Sequence, residues 1–469
     1  MKISPMKLIL AALATFFCLC AATLIGTAAT VKKPTKATKP SAKQTKKTQA
    51  KKTAAKQTSS RLVRVVRMIV HRAPPVSVAT RATAREEIDR RIAATTVGVE
   101  NPAALAGYFA ALDHATDHAG ESGKPVHILQ FGDSHTASDD WVNAMRTAAQ
   151  SIYGDGGPGY VHPGRPFLGY RRFDASGSNS AGWKTDGNKS HQADPYQGLS
   201  HVSISTNLAV QTVRLAASGE SIGVFYMRQH GGGQFEVSFD DNIRTIVSTG
   251  DASPGDSPNA ATDSDPGPGY FSQTLPPGRH EVVLRTLNFA PVRLFGWTVD
   301  NSKGVTFETL GINGALASKL LDADEHIWAS EVAERAPALV VLAYGTNEAN
   351  SHLWTAEQYR ADLSEIIARI RRAAPGASIL MVGPPDCGKT RSLLHLSEVI
   401  DIQRELAGRL GVAFWDWRMH MGGERIVSQW VLAGLGQADY VHLTGEGYRL
   451  IGNLLFTQLE KAHSEVHHE

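Results

Sequence analysis

The chain has 469 residues, 42% hydrophobic and 20% charged, an ordinary globular composition with room for two domains. Its net charge of +3 hides an asymmetry: residues 1–72 hold 16 Lys and Arg and no Asp or Glu, while the rest holds 32 basic against 45 acidic residues. An acidic body behind a basic arm argues against nucleic acid as a partner of the body.

Residues 1–29 read as an export signal or an N-terminal anchor. Lys2 and Lys7 form the positive flank, Leu8–Gly26 the apolar run, and Thr27, Ala28 and Ala29 a small-residue cleavage site. Uncleaved, the run is long enough to span a bilayer. Cys18 and Cys20 lie inside it without a lipoprotein box. Residues 30–80 read as a disordered linker rich in Lys, Thr, Ala and Pro, with ten lysines between 30 and 60. They suit a solvated spacer, and also attraction to an anionic envelope surface. Arg61–Arg72 mixes arginines with valines and could lie on a membrane surface.

Residues 81–164 read as the first part of an α/β domain. Asn101-Pro102 opens a helix, with Asn as cap and Leu105, Phe109 and Leu112 as its apolar face. Val126–Phe131 is then a buried strand that breaks at Gly132. Asp133, Ser134, His135 and Thr136 follow, and then helical spacing. A serine at such a turn sits at a sheet's carboxyl edge, where backbone N–H groups can face an oxyanion. The same position also suits a plain helix N-cap. It is not a G-x-S-x-G elbow, because Ala137 and Ser138 follow. Tyr153–Tyr160, YGDGGPGY, is expected to shape a loop near this turn.

From 165 to 301 the pattern changes to short alternating runs such as AVQTVRLAA, GQFEVSFDD and HEVVLRTL, parted by Gly231-Gly232-Gly233 and DASPGDSPNAATDSDPGPG. This reads as an inserted antiparallel β-sandwich, an architecture often used for carbohydrate binding. From 302 to 463 strands and helices alternate again, giving a mostly parallel three-layer sheet. The strands are GVTFETL, ALVVLAY, SILMVGPP and VAFWDW. Cys387, in GPPDCGK, stands alone with no marked His partner and reads as structural. His463, His467 and His468 read as a frayed tail rather than a metal site.

Four loops at strand ends now carry polar groups: Ser134, Gly314, Asn347, and the pair Asp439 and His442. A serine nucleophile needs a base near neutral pH, which His442 supplies. Asp439, three residues earlier, can orient the imidazole. The Ser134 and Gly314 N–H groups and the Asn347 amide would form the oxyanion hole. This chemistry requires no metal and no cofactor.

In order, GDSH, GINGA, GTNE and D-x-x-H resemble the four blocks of the SGNH, or GDSL-like, hydrolase superfamily. The resemblance covers roughly residues 101–165 and 302–462. It implies a three-layer α/β/α, flavodoxin-like sheet, with Ser134, Asp439 and His442 catalytic and Ser134, Gly314 and Asn347 at the oxyanion hole. Two departures stand out: His135 replaces the leucine of GDSL, and Glu348 replaces the usual aspartate. QFGDSHT, GDGGPGY and AYGTNEA are similar to bacterial O-acetylpeptidoglycan esterases, which also carry an inserted carbohydrate-binding-like β-sandwich. The resemblance implies an exported, periplasmic or envelope-associated serine esterase acting on O-acetylated polysaccharide, foremost peptidoglycan. Other acetylated polysaccharides, a lipid ester, acetyl transfer and a non-catalytic envelope-binding role remain open.

Overall fold

The computed structural model describes residues 75–117, 123–187, 194–250, 266–388 and 393–466. Residues 1–29, most of the 30–80 segment, Arg61–Arg72, His467 and His468 lie outside the described residues. Among the described residues no helix is long and apolar enough to cross a membrane.

The first described element is the helix Val78–Ala93, which Ser77 caps by accepting the Thr80 N–H at 3.0 Å. Asn101, by contrast, makes no side-chain cap. Its φ is +55°, its amide donates to the Val412 carbonyl at 3.1 Å, and Pro102–Leu105 is a turn of 3-10 helix leading into the helix Ala106–Asp117. Leu105, Phe109 and Leu112 are nonetheless buried.

Strand β1, Val126–Gly132, is central. After it the chain leaves for the insert. The inserted strands are β2 (Gly159–Val161), β3 (Ala175–Asn179), β4 (Lys184–Asp186), β5 (Ser203–Thr206), β6 (Thr212–Ser218), β7 (Ser221–Arg228), β8 (Gln234–Phe239), β9 (Ile243–Ser248), β10 (Gly267–Thr274), β11 (Arg279–Thr286) and β12 (Val292–Asp300). The chain then returns with β13 (Val305–Gly311), β14 (Leu339–Ala343), β15 (Ser378–Val382) and β16 (Ala413–Trp415).

The central sheet has the order β13-β1-β14-β15-β16, parallel throughout. With the insert skipped, this is the flavodoxin-like order 2-1-3-4-5, whose switch point lies between β1 and β14. Side chains alternate between two apolar layers, so both faces are covered. Leu129, Phe131, Val340, Leu342, Ile379 and Met381 pack toward the helices Glu325–Arg335, Ala356–Ala373 and Leu396–Leu410. Ile128, Leu339, Val341, Leu380 and Val382 pack toward Ala106–Asp117, Asp140–Tyr153 and Gly445–Val466. His463 belongs to this second layer: its ring stacks on Phe109 with centroids 4.7 Å apart, and Nε2 lies 3.0 Å from Asp113. It is not a frayed end.

The insert consists of two antiparallel sheets, β10-β7-β12-β5-β4 with β2 on β12, and β3-β6-β11-β8-β9. Val213, Leu215, Phe235, Val237, Val282, Leu284, Leu294 and Trp297 fill the space between them. β7 is buried almost throughout, because its other face carries Phe225 and Met227 onto the layer containing Trp328. β6 and β11 alternate buried and exposed, because the outer face of their sheet meets solvent. Buried ion pairs pin the insert to the body. Arg335 grips Asp300 at 2.6 and 2.9 Å and Glu308 at 2.7 Å. Glu308 in turn accepts the Tyr160 N–H at 2.9 Å.

The glycine-rich stretch does not lie near the serine turn. Gly156 donates to the Val305 carbonyl at 3.0 Å, at the amino end of β13, whereas the serine turn lies at the carboxyl end. A Cβ at Gly156 would come within 2.5 Å of the Val305 backbone. The glycines therefore let this segment run against an edge strand.

Candidate active site

Three of the four polar loops leave adjacent strands at one level. Gly132 on β1 faces Gly311 on β13 and Ala343 on β14. The chain turns sharply at Gly132, where a Cβ would sit 2.2 Å from the Thr136 hydroxyl and 2.8 Å from the Ala343 carbonyl. Asp133 then caps a single helical turn, Ser134–Ala137, with Oδ1 accepting the His135 N–H at 2.9 Å. The long helix read directly after the serine is split. Asp139 adopts φ +60°, and Asp140–Tyr153 follows as a separate helix.

Ser134 is half-buried, and its Oγ lies 2.8 Å from His442 Nε2. His442 Nδ1 lies 2.8 Å from Asp439 Oδ2. Asp439 Oδ1 accepts the Val441 and His442 N–H groups, each at 3.0 Å. Tyr440, between Asp439 and His442, takes the left-handed φ of +58° that this tight loop requires. Gln437 closes the loop by donating its N–H to the His442 carbonyl at 2.8 Å.

The electrostatics follow from this geometry. Burial acts to raise Asp439, but the hydrogen bond from His442 and the two backbone N–H groups hold it down to about 2. Burial acts to lower His442, but its hydrogen bond to Asp439, the Asp439 charge and the Asp133 charge behind it raise its pKa above the ordinary histidine value. Asp133 itself is pushed up to about 6 by burial.

Gly314 and Asn347 are tied together. Ile312–Ala315 is a turn closed by the Ala315 N–H on the Ile312 carbonyl at 3.1 Å. Gly314 takes φ +75° at its third position, which makes it a type II turn that favours glycine. The Asn347 amide donates to the Ala315 carbonyl at 2.9 Å and lies 3.5 Å from Asp133 Oδ2. One amide thus bridges the residue beside Ser134 and the residue beside Gly314. Glu348 is buried, raised to about 7 by desolvation, and accepts the Ala317 N–H at 2.6 Å. Its extra methylene compared with aspartate is spent on this second cross-link between the two loops.

Cys387 is buried, its thiol raised by desolvation, and donates to the Pro385 carbonyl at 3.4 Å. That is the environment of an inert thiol. Among the described residues there is no group of three or more His, Cys, Asp or Glu placed to hold a metal.

Asp133, Glu348 and Tyr448 were not read as site residues. The Asp-Ser pair has the form of an N-cap and offered a signal for Asp133. Tyr448 offered none, because its partner His135 is 313 positions away.

Residues 286–450 match the model of the GDSL-like Lipase/Acylhydrolase family. The match contains Gly314, Asn347, Asp439 and His442, while Ser134 falls on the far side of the insert. Over those residues the chain is similar to the GDSL-like acylhydrolases. A solved peptidoglycan O-acetylesterase is similar in fold, with TM-score 0.63 and 23% identity over 76% of this chain and 96% of that one. Family two carbohydrate esterases also match, more distantly. One from Clostridium thermocellum has TM-score 0.26 and 14% identity over 60% of this chain and 98% of its own. One from Cellvibrio japonicus has TM-score 0.24 and 12% identity over 62% of this chain and 99% of its own. No curated protein matches this chain. The family match and the likeness of fold support a carboxylic ester hydrolase, on a parallel central sheet with additional antiparallel sheets.

Proposed function

We propose that this acylhydrolase is a serine esterase of the cell envelope that removes O-acetyl groups from polysaccharide, with peptidoglycan as the preferred substrate. The single observation that carries the reading is the unbroken line from Ser134 Oγ through His442 to Asp439, with two contacts of 2.8 Å. The similarity of fold to a peptidoglycan O-acetylesterase supports the substrate.

Ser134 Oγ attacks the acetyl carbonyl while His442 Nε2 takes its proton. The carbonyl oxygen becomes an oxyanion, to which the Ser134 N–H, the Gly314 N–H and the Asn347 amide donate, the amide giving up its 3.5 Å contact with Asp133. Collapse expels the sugar oxygen, which takes the proton from His442 to leave as a hydroxyl, and Ser134 stays acetylated. His442 then deprotonates a water, which attacks the acetyl carbon. The second collapse frees acetate and restores the serine. Asp439 stays ionised throughout, consistent with its low pKa, and fixes the imidazole tautomer.

Residues 1–29 would export the chain or anchor it, and the basic arm would meet an anionic envelope surface. The insert would hold the polymer. On its solvent-facing sheet Ser176, Ser178, Arg214 and Glu281 line a concavity of about 210 Å³. Substituting Arg214 and Glu281 by alanine should lower turnover of acetylated polymer and spare p-nitrophenyl acetate, which is too small to use a remote surface.

The reading is tested by measuring acetate release from purified O-acetylated peptidoglycan alongside acetyl-xylan. Faster release from peptidoglycan is expected. Preference for acetyl-xylan would overturn the substrate assignment, and no release from either, with p-nitrophenyl acetate still cleaved, would remove polysaccharide altogether.

A further inference from the structure

The catalytic line leaves one buried histidine unused. His135 follows Ser134 directly, is 2% exposed, and places Nδ1 2.8 Å from the hydroxyl of Tyr448. Tyr448 is also buried and belongs to the helix Gly445–Val466, which begins just after the His442 loop. The His135 ring is neutral, because burial and the nearby His442 hold its pKa down to about 3. The tautomer sets which of the two, Nδ1 or the phenol, donates in the hydrogen bond they share.

The ring also touches the base. Its centroid is 5.2 Å from that of His442, and Trp417 lies against it at 5.5 Å, backed by Trp141 at 5.0 Å from Trp417. Asp439 and Ser134 fix the two nitrogens of His442, that is, directions within the ring plane. They do not set how the ring is tilted. The neighbouring His135 ring can do so, and Tyr448 holds His135 in turn.

We propose that His135 and Tyr448 are positioning residues for the esterase reaction. Together they form a strut that ties the Ser134 turn to the His442 loop and holds the imidazole in line with the serine Oγ. A strut is needed because nucleophile and base are 308 positions apart, and the base loop lies beyond β16 with no strand of its own in the sheet. Leucine at position 135 could fill the space but could not hydrogen-bond the phenol.

This inference rests on the reading of Ser134 as nucleophile and His442 as base. The test is therefore run with Ser134→Ala in parallel, on the full chain with p-nitrophenyl acetate. Tyr448→Phe keeps the ring and removes only the hydroxyl. It should lower kcat about tenfold with KM within about twofold, since a misaligned general base costs rate rather than affinity. His135→Leu should lose a similar factor. His135→Asn, whose amide can either donate to the phenol or accept from it, should stay within about threefold of the parent enzyme. The double variant Tyr448→Phe/His135→Leu should lose no more than either single change, because both break one strut. Thermal midpoints are read on every variant, and a variant that does not fold is replaced in the comparison by His135→Asn against His135→Leu. The strut is refuted if Tyr448→Phe retains kcat within about twofold, if the double loss equals the product of the singles, or if asparagine performs no better than leucine. Activity surviving in Ser134→Ala would instead overturn the nucleophile reading, whatever the strut variants do.

Discussion

Replacing Asp439 by asparagine probes what the carboxylate does. The side chain makes two kinds of contact at once: Oδ1 accepts two backbone N–H groups at 3.0 Å, and Oδ2 faces His442 Nδ1 at 2.8 Å. Asparagine has one oxygen. If it stays on the backbone pair, the NH₂ group faces Nδ1. If it flips, the NH₂ group faces two N–H donors. A neutral hydrogen bond contributes about 1 kcal/mol, so losing two of them makes the flipped form unfavourable by about 2 kcal/mol before the donor–donor clash is counted. The unflipped form should therefore outnumber the other by roughly 30 to 1. An NH₂ group at Nδ1 forces the His442 proton onto Nε2, where it points at Ser134 Oγ and prevents base catalysis. The analogous swap in serine proteases lowers kcat by about 10⁴, and we expect about 10³–10⁴ here. Asp439→Ala should be milder, because water can accept from Nδ1–H in the space left. The assay is initial-rate hydrolysis of p-nitrophenyl acetate by both variants, with circular dichroism to check the fold. If alanine loses as much as asparagine, tautomer control is the wrong account and charge alone explains the role of Asp439.

A pH dependence follows with His442 as the proposed base, active only when neutral. Its pKa is raised in the folded protein, so kcat/KM should rise with pH through a midpoint above the ordinary 6.5. In Asp439→Ala burial remains without its main counterweight, so that midpoint should move to lower pH. Asn347→Ala should lower kcat by roughly 10²–10³ with little change in KM, because an oxyanion donor acts in the transition state. A change confined to KM would make Asn347 a substrate-binding group. Glu348→Asp withdraws the oxygen that meets the Ala317 N–H and leaves that buried donor unpaired, at a cost of about 1–3 kcal/mol. Chemical denaturation should register this as a lower midpoint, and an unchanged midpoint would show that the aspartate reaches Ala317 or that water replaces it.

The legible parts of the fold were those with a strong local signal. The strands around Val340 and Leu380 are near-continuous apolar runs because both faces are covered, and the strand around Leu129 departs from this only at the buried His127 and Gln130. β6 and β11 alternate because one face is wet. β3 and β4, ASGSN and KTD, have no apolar pattern and become strands only because β6 and β5 lie beside them. The helix Glu325–Arg335 escaped notice although Asp324 caps it through the Ile327 N–H. Its short stretch mixes Glu331 and Arg335, buried through partners at 199, 300 and 308, into what would be the apolar face. Gly314, Asn347 and His442 could be singled out because short motifs sit at strand ends. The glycine stretch was misplaced because a run of glycines states that backbones approach closely but not which backbone. Contacts such as Asn347 to Ala315 leave no trace in either local sequence.

The insertion of the sandwich also sets the order in which the enzyme can come into being. β1 pairs with β13, 179 positions later, and with β14 beyond that. A chain growing from its amino end makes the serine strand early and leaves it without either neighbour until the whole insert has been produced. Closing so large a loop is slow. His442 arrives later still. On the proposed roles, every partial chain short of that point carries Ser134 without the histidine that would activate it, and a chain that travels unfolded before use would do no chemistry on the way.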